Sequence, residues 1–198
     1  MSIKAVVVGD PAVGKTSLVI SLSCNTFPGL YLPLVTDVND MDVTIGHQSF
    51  RLSLWDTATK EEYERLRVIC YSHTNVFLLC FSFTSKESLE NIQTKWYPEI
   101  NFHSPATSFI LVGLKSDLRT DPATLHFLKE QNLEPVSDAE VQEVVNNIKP
   151  VKYFECSALS RENLSILGEH AVSIGGGFYW SPFYQGTHKR KKERCFIS

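Results

Sequence analysis

Short apolar runs along this chain alternate with longer stretches that carry helix start and stop signals, and that rhythm predicts its elements. Ile3–Val8 reads as a strand. Asp42–Ile45 and Phe50–Trp55 read as a hairpin joined by the turn-forming Gly46-His47-Gln48, with Phe50, Leu52 and Leu54 alternating as in a half-buried strand. Val76–Phe83 is a continuous apolar run, the pattern of a strand buried on both faces of a sheet, and Ser108–Val112 and Val151–Cys156 complete the strands. Between them lie the predicted helices. Ser17–Ser23 is helix-compatible, and Thr84-Ser85-Lys86-Glu87 places a capping-box pair ahead of a helix reaching about Asn101. Asp121-Pro122, an N-cap followed by proline at the first helical position, opens a short and largely polar helix to about Gln131. Ser137 with Glu140 caps another helix, which Pro150 stops, and Asn163–Ile174 is a weak terminal one. Strands alternating with helices predict an α/β fold: a three-layer sandwich with a mostly parallel six-stranded sheet and one antiparallel edge strand. Gly175-Gly176-Gly177 is expected to end the folded part, giving one domain over 1–175 and a tail over 176–198.

Composition changes this picture little. The 198 residues, 43% apolar and 21% charged, suit one globular domain with a sizeable core. No run approaches the roughly 18 consecutive apolar residues of a membrane span, and the N-terminus runs into a strand without a signal-peptide pattern. The expected compartment is therefore the cytoplasm, with reduced cysteines. Cys24, Cys70, Cys80, Cys156 and Cys195 form no C-x-x-C pair and the histidines have no H-E-x-x-H spacing, which leaves a structural zinc site without support. Charge changes it more. Lys189, Arg190, Lys191, Lys192 and Arg194 against Glu193 put the last ten residues at +4, so the net −3 leaves −7 on the rest. An acidic domain with a basic tail points to an anionic surface as the tail's partner.

The candidate chemistry begins at Gly9-Asp10-Pro11-Ala12-Val13-Gly14-Lys15-Thr16-Ser17, which matches the phosphate-binding pattern G-x-x-x-x-G-K-[ST] between a strand and a helix. Glycine lets the backbone approach a polyphosphate, and the helix N-terminus offers unpaired N–H groups and a positive dipole end. Lys15 is placed to reach the terminal phosphates and Thr16 to ligate magnesium. The predicted fold is thus of the P-loop NTPase type.

Ligand-holding loops in such folds lie at the C-terminal ends of strands. Lys115-Ser116-Asp117 follows one strand and Ser157-Ala158-Leu159 another. Here the chain resembles the small GTPases, whose base-recognition signatures are [NT]-K-x-D and S-A-[KL]. That resemblance implies that Asp117 accepts hydrogen bonds from guanine N1 and N2, that the Lys115 stem covers one face of the base, and that Phe27 lies edge-on to it. It also implies that the Ala158 N–H donates to guanine O6, with Leu118, Ser157 and Leu159 completing the nucleotide site. Adenine would leave such polar groups unpaired and be rejected. Leu114 departs from the pattern, which has Asn or Thr there to tie this loop to the phosphate loop; weaker nucleotide affinity is the expectation.

The resemblance sharpens to the Rho family through Phe27-Pro28-Gly29, Trp55-Asp56-Thr57-Ala58, Tyr63-Glu64-Arg65-Leu66-Arg67, Lys95-Trp96-Tyr97-Pro98-Glu99 and Glu155-Cys156-Ser157-Ala158-Leu159. The polar helix after Asp121 falls where that family carries its insert, near residues 121–134, and Lys115-Ser116-Asp117-Leu118-Arg119-Thr120-Asp121 is similar to the GTPase-deficient Rnd subgroup. Asp56 is implied as the outer-shell magnesium partner. Switch I (Leu30–Asn39, with Tyr31, Leu34 and Asp37) and switch II (Thr57–Val68, with Tyr63, Arg65 and Leu66), together with Trp55, are implied as the surfaces for effectors and exchange factors. A GDI-type chaperone joins those partners; a nucleic acid does not. Cys195-Phe196-Ile197-Ser198 is a C-a-a-X box whose final serine favours farnesyl, and the polybasic run supplies the usual second signal. The expected location is the cytoplasmic face of the plasma membrane, with a cytosolic pool. Phe178, Tyr179, Trp180, Phe183 and Tyr184 have two readings: packing back on the domain, or sitting at the headgroup level of a bilayer.

Further departures fall on the reaction centre. Leu34 replaces the threonine that gives the family a magnesium ligand in switch I. Thr59-Lys60 replace the Gly-Gln of D-T-A-G-Q; the β-branched residue restricts the backbone, and Lys60, with donors only, cannot orient an attacking water. Pro11 replaces the second phosphate-loop glycine, removing an N–H and placing a ring where an activating arginine would enter. The expectation is a GTP/GDP-binding, magnesium-dependent signalling switch of Rho type, acting on cell shape and the cytoskeleton, with slow or absent hydrolysis. A conventional cycling GTPase and a nucleotide-free or GDP-locked scaffold remain the alternatives.

Overall fold

The computed structural model describes residues 1–29, 38–57 and 63–178. Its centre is a six-stranded sheet ordered β2-β3-β1-β4-β5-β6. The strands are β1 (Ser2–Gly9), β2 (Val38–Ile45), β3 (Gln48–Asp56), β4 (Val76–Ser82), β5 (Ser108–Leu114) and β6 (Lys152–Cys156). Edge strand β2 runs antiparallel to β3, from Val38 opposite Trp55 to Ile45 opposite Gln48; every other pairing is parallel. The predicted sheet is the one observed.

Period-two alternation sorts the central strands into two cores. Ile3, Ala5 and Val7 of β1 and Val76, Leu78 and Cys80 of β4 face one way, against apolar residues of α1 (Lys15–Ser23) and α7 (Leu164–Gly175). Val6, Val8, Phe77, Leu79 and Phe81 face the other way, against Leu89, Ile92, Trp96 and Ile100 and against Val141, Val144 and Ile148. The latter three belong to α6 (Asp138–Ile148). Helices on both faces of the sheet make the three layers.

Several helix predictions need correction. The helix before β5 is not one run to Asn101 but α3 (Lys86–Asn91), a π turn (Ile92–Trp96) and α4 (Tyr97–His103). Its N-cap is Ser85, whose hydroxyl accepts the Ser88 N–H, rather than Thr84 in a box with Glu87. The Thr84 hydroxyl is instead 2.8 Å from that of Ser82, and this local side-chain pairing wins over the cap. Helix α1 begins at Lys15, two residues ahead of the predicted start, because Gly14 in a left-handed conformation is its N-cap. Helix α2 (Glu64–Cys70) was not legible as a helix. The Asp121 cap and α5 (Pro122–Glu130) follow the sequence, as does the Ser137/Glu140 capping box of α6.

Candidate functional site

The turn after β1 is forced by contact. A Cβ on Gly9 would lie 2.1 Å from the Cys80 carbonyl oxygen, so no side chain fits where β1 passes β4. The chain then turns through Ala12 (φ 58°) and Gly14 (φ 111°) into α1. No side chain caps the first turn of α1, and no acidic residue lies in it. Its orphan N–H groups and dipole therefore face the turn formed by Gly9 to Gly14, a cradle for an anion.

Lys15, Thr16 and Asp56 fix the floor of this cradle. Lys15 is buried, and its ammonium donates to the Asp10 carbonyl at 2.7 Å. Burial lowers its pKa below the ordinary lysine value, and the Asp56 charge partly restores it. The Thr16 hydroxyl donates to the Asp56 carboxylate at 2.5 Å, and Asp56 itself is buried at the end of β3. A hydroxyl and a carboxylate in contact beside a lysine are the oxygen donors a hard divalent cation takes, so the residues fit magnesium. Thr57 anchors the strand end beneath by donating its hydroxyl to the Val7 carbonyl at 2.6 Å. Val13 is buried, Ser17 is half-buried in α1, and Pro11 stands exposed at the tip.

Asp10 does not face the cradle. Its carboxylate accepts the Trp96 indole N–H and the Asn91 side-chain amide, each at 2.7 Å.

At the neighbouring strand end, Lys115 adopts a left-handed conformation and begins a 3-10 helix, Ser116–Arg119, that carries Asp117 and Leu118. The Lys115 ammonium donates to the Ala12 carbonyl at 2.8 Å, and its pKa is lowered by burial and raised in part by Asp117. Leu114 is buried beneath Gly14, whose notional Cβ would lie 3.8 Å from the leucine Cδ1. The Lys115 bond thus joins the two loops, a link that reasoning from the lost Asn or Thr did not anticipate. Beyond β6, Ser157 and Ala158 are buried and Leu159 is exposed. The Ser157 hydroxyl accepts the Ser160 N–H, and the Ser116 hydroxyl donates to Glu162, which ties this loop to the 3-10 helix. Arg161 donates to Asn25 at both its carbonyl and its side chain, bringing in the segment with exposed Phe27. Glu162 and Arg161, which carry no motif of their own, therefore tie the loop after β6 to the 3-10 helix and to the segment with Phe27, while Lys115 joins the 3-10 helix to the phosphate loop.

The Ras family model matches residues 4–173. The Rho-related protein racC of Entamoeba histolytica is 48% identical to the chain over 171 residues, 86% of this chain and 88% of that protein. The chain belongs to the Rho branch of the Ras family. It is a GTP-binding protein of the small GTPase type.

In this Rho-type GTPase, α2 presents Tyr63, Arg65 and Leu66 to solvent, next to Ile69. It buries Arg67, whose guanidinium pairs with Glu99 through hydrogen bonds of 2.9 and 2.8 Å. Tyr71 adds a hydrogen bond to the same carboxylate at 2.5 Å. Burial opposes both charges, but the pairing outweighs it: the Arg67 pKa is raised and the Glu99 pKa lowered. Trp55 lies under the Lys4 ammonium, 3.9 Å from the ring centroid. Cys80, behind Gly9, has its thiol pKa pushed up by burial to about 12, which keeps it inert. Tyr31, Leu34, Asp37, Thr59, Lys60 and Cys195, and the aromatic residues from Tyr179 onward, lie outside the described residues. Phe178 packs against Phe50 with ring centroids 5.1 Å apart, so the first ring of the aromatic stretch rests on the domain.

Proposed function

We propose that this Rho-type switch holds GTP and hydrolyses it slowly or not at all, anchored by a prenylated Cys195 and a polybasic tail to the cytoplasmic face of the plasma membrane. One contrast carries the reading. The Lys15, Thr16 and Asp56 arrangement that fits a phosphate–metal complex is complete, while Pro11, Leu34, Thr59 and Lys60 replace the groups that hydrolysis uses. The cradle N–H groups and Lys15 bind the phosphates, and Thr16 with Asp56 holds magnesium, which neutralises phosphate charge when bound. Asp117, the Lys115 stem and the Ala158 N–H select guanine. Lys60, an obligate donor, stabilises a triphosphate without orienting a water against it. Pro11 at the exposed tip of the loop obstructs an incoming arginine.

Such a protein signals by abundance, lipidation and nucleotide exchange rather than by a hydrolytic clock. Its switch surfaces engage effectors and exchange factors of the cell-shape and cytoskeletal class, a GDI-type chaperone maintains a cytosolic pool, and the basic tail meets anionic inner-leaflet lipid. The nucleotide retained through purification tests the reading: GTP is expected. Retained GDP would instead mark a conventional or GDP-locked protein, and none would mark a scaffold.

A further inference from the structure

A half-buried carboxylate within a phosphate cradle's own loop needs a reason, since it repels the anion that the cradle serves. Both oxygens of Asp10 are occupied. Oδ1 accepts the Trp96 indole N–H and Oδ2 accepts the Asn91 amide N–H, while the Asp10 carbonyl accepts from Lys15. The two side-chain donors stand five residues apart. In an α-helix that spacing points side chains about 140° apart. The π turn over Ile92–Trp96, with its i→i+5 bonding, stacks such residues and sends both to one carboxylate. The ring of Trp96 also lies under the Arg67 guanidinium, whose carbon is 4.9 Å from the centroid, and Arg67 belongs to α2.

From this geometry we infer that Asn91 and Trp96 are positioning residues for the phosphate loop: they hold the Asp10 carboxylate turned away from the phosphates and join the loop, through Trp96 and Arg67, to α2. Neutral donors suit the task, because they satisfy the carboxylate without adding a cation that competes with Lys15 for phosphate. The inference rests on nucleotide occupying the loop, and the wild-type protein in the same assay reports that.

The test is a double-mutant cycle on full-length protein, following release of a fluorescent GDP analogue and thermal stability together. Asn91 is half-buried on α3, which makes Asn91→Ala a mild truncation. It frees Oδ2 and should speed release about tenfold, the value of one charge-assisted hydrogen bond. In the Asp10→Ala background, Asn91→Ala should change release by less than twofold. A role in helix packing alone would lower stability equally in both backgrounds and leave release unchanged; that result overturns the inference. So would equal acceleration in both backgrounds. Wild-type protein that binds no analogue overturns the functional reading, and this inference with it.

Discussion

Asp10, Asp56 and Asp117 sit within one cluster of loops, yet their surroundings give them three separate tasks. Asp10 is spent on Asn91 and Trp96, Asp56 on the Thr16 hydroxyl, and Asp117 stands on the 3-10 helix beside Lys115. With Asp117 proposed as the guanine-reading group, Asp117→Ala would remove two charge-assisted bonds of roughly 1.5–3 kcal/mol each. Affinity for GDP should fall about hundredfold or more, and the preference for GDP over ADP in competition titrations should shrink with it. Asp117, Lys115, Lys15 and Thr16 could be located in the sequence because each holds a fixed place in a short motif. Asn91 and Trp96 were not legible as site residues: their bonds to Asp10 span 81 and 86 residues, and a π turn that brings them together leaves no periodic trace. Arg161 and Glu162 escaped for the same reason.

Among the elements, those with strong local chemistry were read and those with tertiary chemistry were missed. Helix α6 has a reciprocal Ser137–Glu140 cap, reinforced by Lys86 at 2.8 Å from Glu140. Ser137→Ala should cost about 1 kcal/mol in denaturant unfolding. The Lys86 and Ser137 hydrogen bonds bring the Glu140 pKa from 4.5 down to about 2. A carboxylate depressed on folding stabilises above its unfolded pKa, so this contribution is complete above about 4.5 and fades as pH falls through about 2. Glu140→Gln should flatten the stability profile across that acid window. Helix α2 inverts the usual pattern, exposing Leu66 and Ile69 while burying Arg67, and no apolar periodicity could reveal it. Its anchor is the Arg67–Glu99 pair, with side chains 1% and 11% exposed. Glu99→Ala leaves a buried cation and should destabilise the protein by about 3 kcal/mol, visible as a drop in Tm.

For the whole molecule, alternation of apolar runs with helix signals was enough for the sheet and its antiparallel edge, since buried parallel strands write themselves as unbroken apolar sequence. The tail is legible only as a signal. If Cys195 carries the lipid, Cys195→Ser should move the protein from the membrane pellet to the soluble fraction; unchanged fractionation contradicts the anchor. A nucleotide switch that binds without efficient cleavage is defined by its rate. Single-turnover release of γ-phosphate, measured on wild-type protein and on the Pro11→Gly/Thr59→Gly/Lys60→Gln variant, tests it most directly. The expected result is release from the variant at least about tenfold faster than from wild type; equal rates, with wild type already turning over like its variant, would contradict it.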